Sequence, residues 1–405
     1  MSRPRLTGLD LARGLAVLGM MVAHLGPKGG WIETATDGFP SAMFAVLAGC
    51  SLSLMNTRAD AEGGPAVARA RFRAVVRGLL LVAAGFVLGL LPTMILIVLV
   101  PVGAIYVLLG PLTRWRTWEL ALSFVGLTLF SGLAAVVTGF TGGYPPLAWL
   151  AYGVFGMLLH RVFFAAREWA VGTALLGAAL GATGLVHRHL VEPVVPWSDG
   201  EATTGVAGAF FSPVGHSGGV LDVLYSCGMA AALTGLCLWI CHAPAPRRAV
   251  FPLRAVGTMA LTVYVLHVLT ATIPLSGIFD GTEVEDAVPY SSEPYSPYGG
   301  KDFDEFREEV AGLDDWEDWS AYESRLFEEA YTEQTGQAPG EIAVPAQDGH
   351  PWWLAGSVLV AVVGCPLWRR RFERGPLEAL MRRTIDRIVA EDLPARPGRR
   401  ISDAR

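Results

Sequence analysis

Charged residues are scarce in this sequence. They make up 17% of its 405 residues, whereas soluble domains carry roughly 25%. Hydrophobic residues make up 52%, and the mean hydropathy is +0.42. A water-soluble fold could not bury so much apolar surface. The scarcity of charge therefore excludes an ordinary soluble domain and indicates a chain that lies in lipid.

Cysteine is also scarce, and its five residues show no paired spacing. Cys50, Cys227, Cys237, Cys241 and Cys365 all lie in or at the ends of apolar runs. We therefore predict that they pack in the core and form neither disulfides nor metal sites. The sequence also lacks a P-loop, an HExxH motif and a dinucleotide fingerprint. We expect no metal, no permanently bound cofactor and no nucleic-acid partner.

The sequence does contain a series of apolar runs near the ~20 residues that cross a ~30 Å hydrocarbon core. Because lipid offers no water to the backbone, each run is predicted to be a helix. The fold class is thus an all-α integral membrane protein, a polytopic bundle of about ten transmembrane helices with an acidic extracytoplasmic insertion. The predicted spans are 7–26, 39–56, 75–92, 94–111, 118–138, 146–164, 168–186, 219–241, 255–275 and 352–368.

Arginine alternates between successive connectors. The connectors after the second, fourth, sixth and eighth predicted spans are basic, as is the tail from Arg369 to Arg405, and the connectors between them are nearly free of cations. Basic connectors favour the cytoplasm. The sequence therefore predicts a multi-pass protein of the plasma membrane, in contact with membrane lipid, with both termini cytoplasmic.

Acidic residues are concentrated in one segment. Twenty of them lie between Asp280 and Asp348, against three basic residues. Since this segment has no calcium-loop spacing, we interpret it as a solvated acidic face, part of a small helical insertion or lid. The chain divides accordingly into a bundle (1–275), an acidic extracytoplasmic insertion (276–350), a last transmembrane helix (351–368) and a basic cytoplasmic tail (369–405).

Ionisable residues inside the first span are the first candidates for a functional site. Such residues are costly in hydrocarbon and usually face an interior cavity. Asp10, Arg13 and His24 fall within roughly a 60° arc of one helix. Asp10 and Arg13 can pair at the cytoplasmic end, either to bind a ligand or to anchor the helix. His24 lies roughly 20 Å further along, where it either packs or acts as a general base.

Two further histidines are candidates. His267 lies in the ninth span, one turn after Tyr264 on the same face. His216 lies at the mouth of the eighth span, beside Ser217 and not far from Asp222. Their convergence with His24 is a hypothesis, because the sequence does not give the helix packing.

Other polar residues carry less weight. Ser217, His216 and Asp222 offer the residue types of a serine hydrolase, but no nucleophile-elbow glycines surround Ser217. We therefore set a hydrolase aside. His187 and His189 flank Arg188 in an outer connector, where a solvated loop is expected.

The motifs carry a family resemblance. LDLARGLAVLGMMVAHLGP and DGFPSAMFAVLAGCSLSL, followed by segments in most later spans, resemble the transmembrane acyltransferases related to heparan-alpha-glucosaminide N-acetyltransferase, in particular actinobacterial members. The acidic insertion is not part of this resemblance. The resemblance implies that acetyl-CoA from the cytosol is the co-substrate. It also implies that the acceptor is an extracytoplasmic sugar, glycan or glycolipid.

The resemblance also suggests roles for individual residues. His24 occupies the position of the essential histidine of acyltransferase-3 proteins, where the heparan enzyme has an asparagine. The later loop histidine of the heparan enzyme has no clear counterpart between Lys28 and Asp37. The resemblance therefore leaves His24, His267 and His216 as candidate catalytic bases. The candidates for binding substrate or donor are Asp10, Arg13, Asp37, Tyr264 and Ser217.

Two other functions stay open. A carrier or flippase for an envelope metabolite would use the same polar residues without acyl chemistry. A scaffold or sensor would use the acidic segment to bind a partner or cations. Glycine-rich faces such as GTALLGAALGATG permit close helix packing within one bundle or between two copies, so a homodimer also stays open.

Overall fold

The computed structural model describes residues 7–28, 30–91, 95–138, 143–164, 169–190, 206–275 and 349–391. In these ranges the regular structure is helical, with no strand. A 3-10 turn follows α5 at Gly110–Arg114. The α-helices are α1 (Thr7–Leu25), α2 (Gly30–Thr36), α3 (Phe39–Glu62), α4 (Gly64–Leu88), α5 (Leu99–Leu108), α6 (Thr117–Thr138), α7 (Pro146–Phe164), α8 (Ala170–Leu190), α9 (Val206–Phe210), α10 (Val220–Ile240), α11 (Pro244–Ala249), α12 (Phe251–Thr258), α13 (Ala260–Leu275), α14 (Pro351–Arg371) and α15 (Pro376–Glu391).

The helices are those of a polytopic membrane protein, although fewer of them qualify as spans than the sequence predicts. Within the described ranges, seven segments are long and apolar enough to cross a membrane. An eighth crossing results if α12 and α13, which are bent by 82° at their junction, form one broken span. The prediction of about ten spans is therefore wrong in number. The seven segments contain α1, α3, α6, α7, α8, α10 and α14.

Three predicted spans account for the difference. The span 75–92 lies in α4, where the apolar residues that follow Arg77 continue for only three turns. The span 94–111 yields the ten-residue α5, about 15 Å long and so half of the hydrocarbon thickness. The span 255–275 is broken near Met259. The acidic segment 276–348 lies outside the described residues.

The bundle has an arginine end, at which α3, α5, α7 and α10 terminate. Arg71 of α4 donates to the carbonyl of Pro111 (3.3 Å), and Arg161 of α7 donates to Thr117 Oγ1 of α6 (3.1 Å), so these elements adjoin one another at this end. At the opposite, histidine end, α1, α6 and α8 terminate. The alternation of basic and cation-poor connectors in the sequence thus corresponds to two distinct ends of the bundle.

The amphipathic helix α15 packs across the arginine end. Glu378 accepts hydrogen bonds from the backbone N–H of Leu261 (2.8 Å) and from Thr262 Oγ1 (2.6 Å), and so it caps the first turn of α13. Further along α15, Asp386 pairs with Arg73 of α4. These contacts fix the start of α13, which leads from this end toward the histidine end.

Glycines bring α3 and α7 into close contact at the centre of the core. Gly49 faces the backbone of Gly153, and Gly156 faces Val46 and Cys50. A Cβ on Gly156 would lie 2.8 Å from the backbone nitrogen of Cys50, which is closer than real Cβ atoms approach. The two helices can therefore pack at this distance only while these positions lack side chains. The five cysteines are buried and free, which confirms that they pack in the core.

Replacing Gly156 with alanine should destabilise the bundle by about 1–3 kcal/mol, because the added methyl group overpacks a rigid backbone contact. The measurement is the midpoint of thermal unfolding of the purified protein in detergent. Gly126→Ala on α6 is the matched control, since nothing lies within 4 Å of a Cβ at that position. Equal losses in the two variants would contradict the packing account.

Candidate functional site

Two histidines from opposite parts of the sequence meet inside the bundle. His24 Nδ1, in the last turn of α1, lies 3.0 Å from His267 Nε2 of α13. The angle between the two ring planes is 7°, and His267 is 1% exposed. This hydrogen bond uses one nitrogen of each ring. His24 Nε2 and His267 Nδ1 are left to face other groups.

The pair can hold its protons in a catalytically useful arrangement. When His267 carries its proton on Nδ1, its Nε2 accepts a hydrogen bond from the Nδ1–H of His24. His24 Nε2 then has a free lone pair and can accept a proton. His267 would orient this base and share the charge that forms on it.

A cavity of about 230 Å³, here called the histidine cavity, adjoins His24 at the histidine end. Lys28 and Asp37 are exposed residues at its border, so the cavity is open to the surroundings of this end. The lining residues are Met20, Ala23, His24, Lys28, Glu33, Thr36, Asp37, Gly38, Pro40, Ser41, Leu96, Tyr144, His216 and Tyr264. The cavity walls therefore combine imidazole, carboxylate, ammonium and phenol groups.

The structure brings together His24, His267, His216, Asp37 and Tyr264, five of the eight residues that the sequence suggests for the site. Four of these line the histidine cavity, and His267 lies behind His24. The other three lie elsewhere. Ser217 donates to the carbonyl of Val214 (2.7 Å) within its own turn, and its hydroxyl does not line the cavity. Asp10 and Arg13 lie at the arginine end, paired at 3.2 Å.

A strained loop presents His216. Its φ angle is +65°, in the left-handed region that few residues other than glycine adopt. Gly218 is fixed on both sides, because its N–H donates to Asp222 Oδ2 (3.2 Å) and its carbonyl accepts from Ser131 (2.6 Å). The His216 ring lies edge-on to Tyr144, with 5.2 Å between centroids. The loop therefore holds the imidazole against the cavity wall.

The loop depends on a buried ion pair that the sequence reasoning missed. Arg188 Nη2 lies 2.6 Å from Asp222 Oδ1, and both side chains are at most 4% exposed. Arg188 also donates to the carbonyls of Pro213 (2.6 Å) and Asp37 (3.0 Å), and its guanidinium lies over the Phe39 ring. The expectation of a solvated loop at Arg188 is wrong, because α8 continues to Leu190.

One signal in the sequence could have indicated this pair. Asp222 begins an apolar run, and a carboxylate that is buried in a membrane helix requires a cation nearby. Arg188 is the nearest preceding cation in the outer connectors. The pairing itself depends on the packing of α8 against α10, which glycines such as Gly177 and Gly228 permit.

A second cavity, here called the arginine cavity, lies between α1, α3, α4, α5 and α13 and has a volume of about 110 Å³. Arg13 donates to Ser51 Oγ (2.7 Å) at its edge. The Arg77 guanidinium lies 5.1 Å from the centre of the Tyr106 ring, and its Nε–H donates no hydrogen bond within the described residues. This cavity offers two cations to an anionic ligand.

Tyr264 lines both the histidine cavity and the arginine cavity. Its hydroxyl oxygen accepts a hydrogen bond from the N–H of Val98 (3.0 Å), and the residue is 2% exposed. The hydroxyl hydrogen is thereby left to donate to another group. Tyr264 is thus a wall residue shared by a space with arginines and a space with histidines.

The Arg188–Asp222 ion pair generates a prediction about stability. Asp222→Asn should cost about 3–5 kcal/mol, because it leaves the Arg188 cation buried without its counter-charge. Thermal unfolding in detergent measures the loss. The control is Asp386→Asn at the exposed pair with Arg73, where about 0–1 kcal/mol is expected since both side chains are more than a third exposed. Losses of similar size would contradict the burial argument.

Comparison with known proteins gives two partial matches. A family model described as "Protein of unknown function (DUF418)" matches residues 202–283, which include His216, Asp222, Tyr264 and His267. That family consists of membrane proteins related to acyltransferase-like proteins. The chain is also 32% identical over 167 residues to a protein of Nitrosomonas eutropha (strain DSM 101675 / C91 / Nm57) named 4-hydroxybenzoate octaprenyltransferase. That match covers 36% of this chain and 55% of the relative, about half its length.

The family match supports the coarser part of the resemblance seen in the sequence motifs. A segment containing two of the three candidate histidines is similar to membrane proteins of acyltransferase-like kinship. Neither match concerns heparan-alpha-glucosaminide N-acetyltransferase, so that finer likeness depends on the motifs alone.

Proposed function

We propose that the protein transfers an acetyl or other acyl group from cytosolic acetyl-CoA, held at the arginine end, to a sugar or glycan at the histidine end. One observation carries the proposal. The two cavities lie on either side of Tyr264, one with arginines and one with a paired histidine. A site suited to an anionic donor and a site suited to a general base therefore share the Tyr264 side chain as part of their walls.

The arginine cavity suits the charged part of the donor. Phosphate groups bind arginine through charge-assisted hydrogen bonds. Arg13 and Arg77 both line this cavity, and Arg13 is held in place by Ser51 and Asp10. The acyl thioester would then extend along α13 toward Tyr264. No cofactor is needed in this arrangement, because acetyl-CoA is consumed as a co-substrate.

The histidine pair suits the chemical step. His24 Nε2 takes the proton of the acceptor hydroxyl or amine as its oxygen or nitrogen bonds to the acyl carbon. The Tyr264 hydroxyl donates a hydrogen bond to the carbonyl oxygen as negative charge develops there. The C–S bond then breaks, and the CoA thiolate receives the proton from His24. His267 positions His24 throughout through the 3.0 Å hydrogen bond.

The orientation and the acceptor belong to the same proposal. We propose that the arginine end faces the cytoplasm of a plasma-membrane protein, with both termini on that side, because the positive-inside rule favours the cytoplasm for basic connectors and a basic tail. The acceptor, an extracytoplasmic glycan or glycolipid, would enter the histidine cavity past Lys28 and Asp37. The partly matching octaprenyltransferase is by its name a transferase of another group, and it does not specify the acceptor.

The first test is turnover of radiolabelled acetyl-CoA by the purified protein in nanodiscs, with glucosamine as the probe acceptor. His24→Ala should lower the formation of acetylated glucosamine by about 10²–10⁴-fold, the usual contribution of a general base. Binding of acetyl-CoA, measured by filtration, should be unchanged, because His24 lies in the other cavity.

The matched control is His160→Ala. His160 is a buried histidine whose Nδ1 lies 2.9 Å from Ser53 Oγ, and it lines neither cavity. Its loss should leave turnover within about threefold of the wild type, as expected for a residue with no part in the reaction. Saturable acetyl-CoA binding without an acyl product in any variant would favour a carrier. No binding at all would overturn the proposal.

The donor site gives a second test. Arg13→Gln and Arg77→Gln should each raise the KM for acetyl-CoA by roughly 10- to 100-fold, the effect of losing a charged hydrogen bond. Arg382→Gln is the control, since that arginine lies on α15 with its side chain 56% exposed and outside both cavities. An unchanged KM in the two cavity variants would place the donor elsewhere.

A further inference from the structure

A third space, here called the lateral groove, runs between α13 and α14. Its volume is about 570 Å³, within the usual range of ligand pockets of roughly 300–1,000 Å³. Leu266 and Val360 at its margin are 47% and 60% exposed, so the groove is open along the side of the bundle. In a membrane protein this side faces lipid. The residues lining it include Met21, Met259, Val263, His267, Ala361 and Cys365.

Glycines and tryptophans give the groove its depth and length. Gly356 and Gly364 lie on the α14 wall, and nothing is within 4 Å of a Cβ at either position. Trp352 and Trp368 lie at opposite ends of that wall, separated along the helix by about 24 Å. Tryptophan prefers the two membrane interfaces. The empty space between them therefore extends over most of the hydrocarbon thickness.

The chemistry of the lining selects the occupant. The described residues that form the groove include no aspartate, glutamate, lysine or arginine. The connector between α13 and α14, by contrast, carries twenty acidic residues between Asp280 and Asp348. Burying such a segment in an uncharged groove would be costly. A hydrocarbon chain carries no charge to desolvate, and it gains favourable dispersion energy from contact with the apolar walls.

His267 is a polar residue on the wall of the groove. His267 Nδ1 is buried and has no hydrogen-bond partner among the described residues, while its Nε2 bonds to His24. A buried ring nitrogen without a hydrogen-bond partner lowers stability, because it has lost its hydrogen bonds to water. A ligand that brings an oxygen atom to this point would remove that cost. The groove thus combines long, mostly apolar walls with a histidine whose buried Nδ1 has no hydrogen-bond partner among the described residues.

We propose that the lateral groove binds the hydrocarbon chain of a membrane lipid, with an oxygen near the head of that chain hydrogen-bonded to His267 Nδ1. The bound lipid would fix the proton of His267 on Nδ1 and so leave His24 Nε2 as the base. The site goes beyond the proposed acyl transfer, because lipid binding requires no acetyl-CoA.

The experiment uses the full-length protein in phosphatidylcholine nanodiscs with a trace of phosphatidylcholine that carries a diazirine on one acyl chain. After illumination, mass spectrometry locates the label. We expect it to concentrate on peptides that contain residues 259–270 and 352–368. Filling the groove with Gly356→Leu and Gly364→Leu together should lower this labelling by about tenfold or more. The reason is that expelling even two CH₂ groups of the lipid chain from the groove lowers the affinity for the lipid about tenfold.

The matched control is Gly126→Leu on α6, another position with nothing within 4 Å of a Cβ and outside the groove. It should leave the labelling unchanged, and thermal unfolding checks that each variant is folded. Equal labelling in the filled variant and the wild type would overturn the proposal. A photocrosslinker on Gly356→Cys that captures residues 276–348 instead of lipid would also overturn it. Because acetyl-CoA is absent, neither outcome affects the proposed transfer reaction.

Discussion

Polar side chains inside a lipid-facing bundle must find their partners within the protein, because hydrocarbon supplies none. This constraint organises the described part of the chain. The Arg188–Asp222 pair ties α8 to α10, Arg188 also bonds to the turn between α2 and α3, and the His24–His267 hydrogen bond ties α1 to α13. The first pair joins residues 34 positions apart in the sequence and the second joins residues 243 positions apart, and together they set where the cavities lie.

The first and thirteenth helices connect all three spaces. On α1, Met20 lines the histidine cavity while its neighbour Met21 lines the lateral groove. On α13, Tyr264 lines both the histidine and the arginine cavity, and His267 lines the groove and is hydrogen-bonded to His24 of the histidine cavity. Under the proposals above, these shared walls and this hydrogen bond would couple a donor, a base and a lipid.

The sequence predicted much of the fold, for reasons that can be traced to particular residues. Apolar runs of sufficient length gave α1, α6 and α7 almost to the residue, since hydropathy reports directly on the cost of leaving water. The hydropathy prediction failed at α5, because an apolar composition does not reveal that the helix is only ten residues long. The predicted span also ended before Arg188, whereas α8 continues past it, because a charged residue was expected to lie in solvent.

The sequence by itself determined that this is a helical membrane protein, which ends of its helices carry arginine, and that His24, Tyr264 and His267 are unusual residues for an apolar environment. These properties depend on local composition and on the period of one helix. Only the tertiary structure decided that His24 lies 3.0 Å from His267, that Tyr264 stands between two cavities, and that Ser217 turns away from them. Distances between helices depend on side-chain packing across the whole bundle, and no local pattern contains that information.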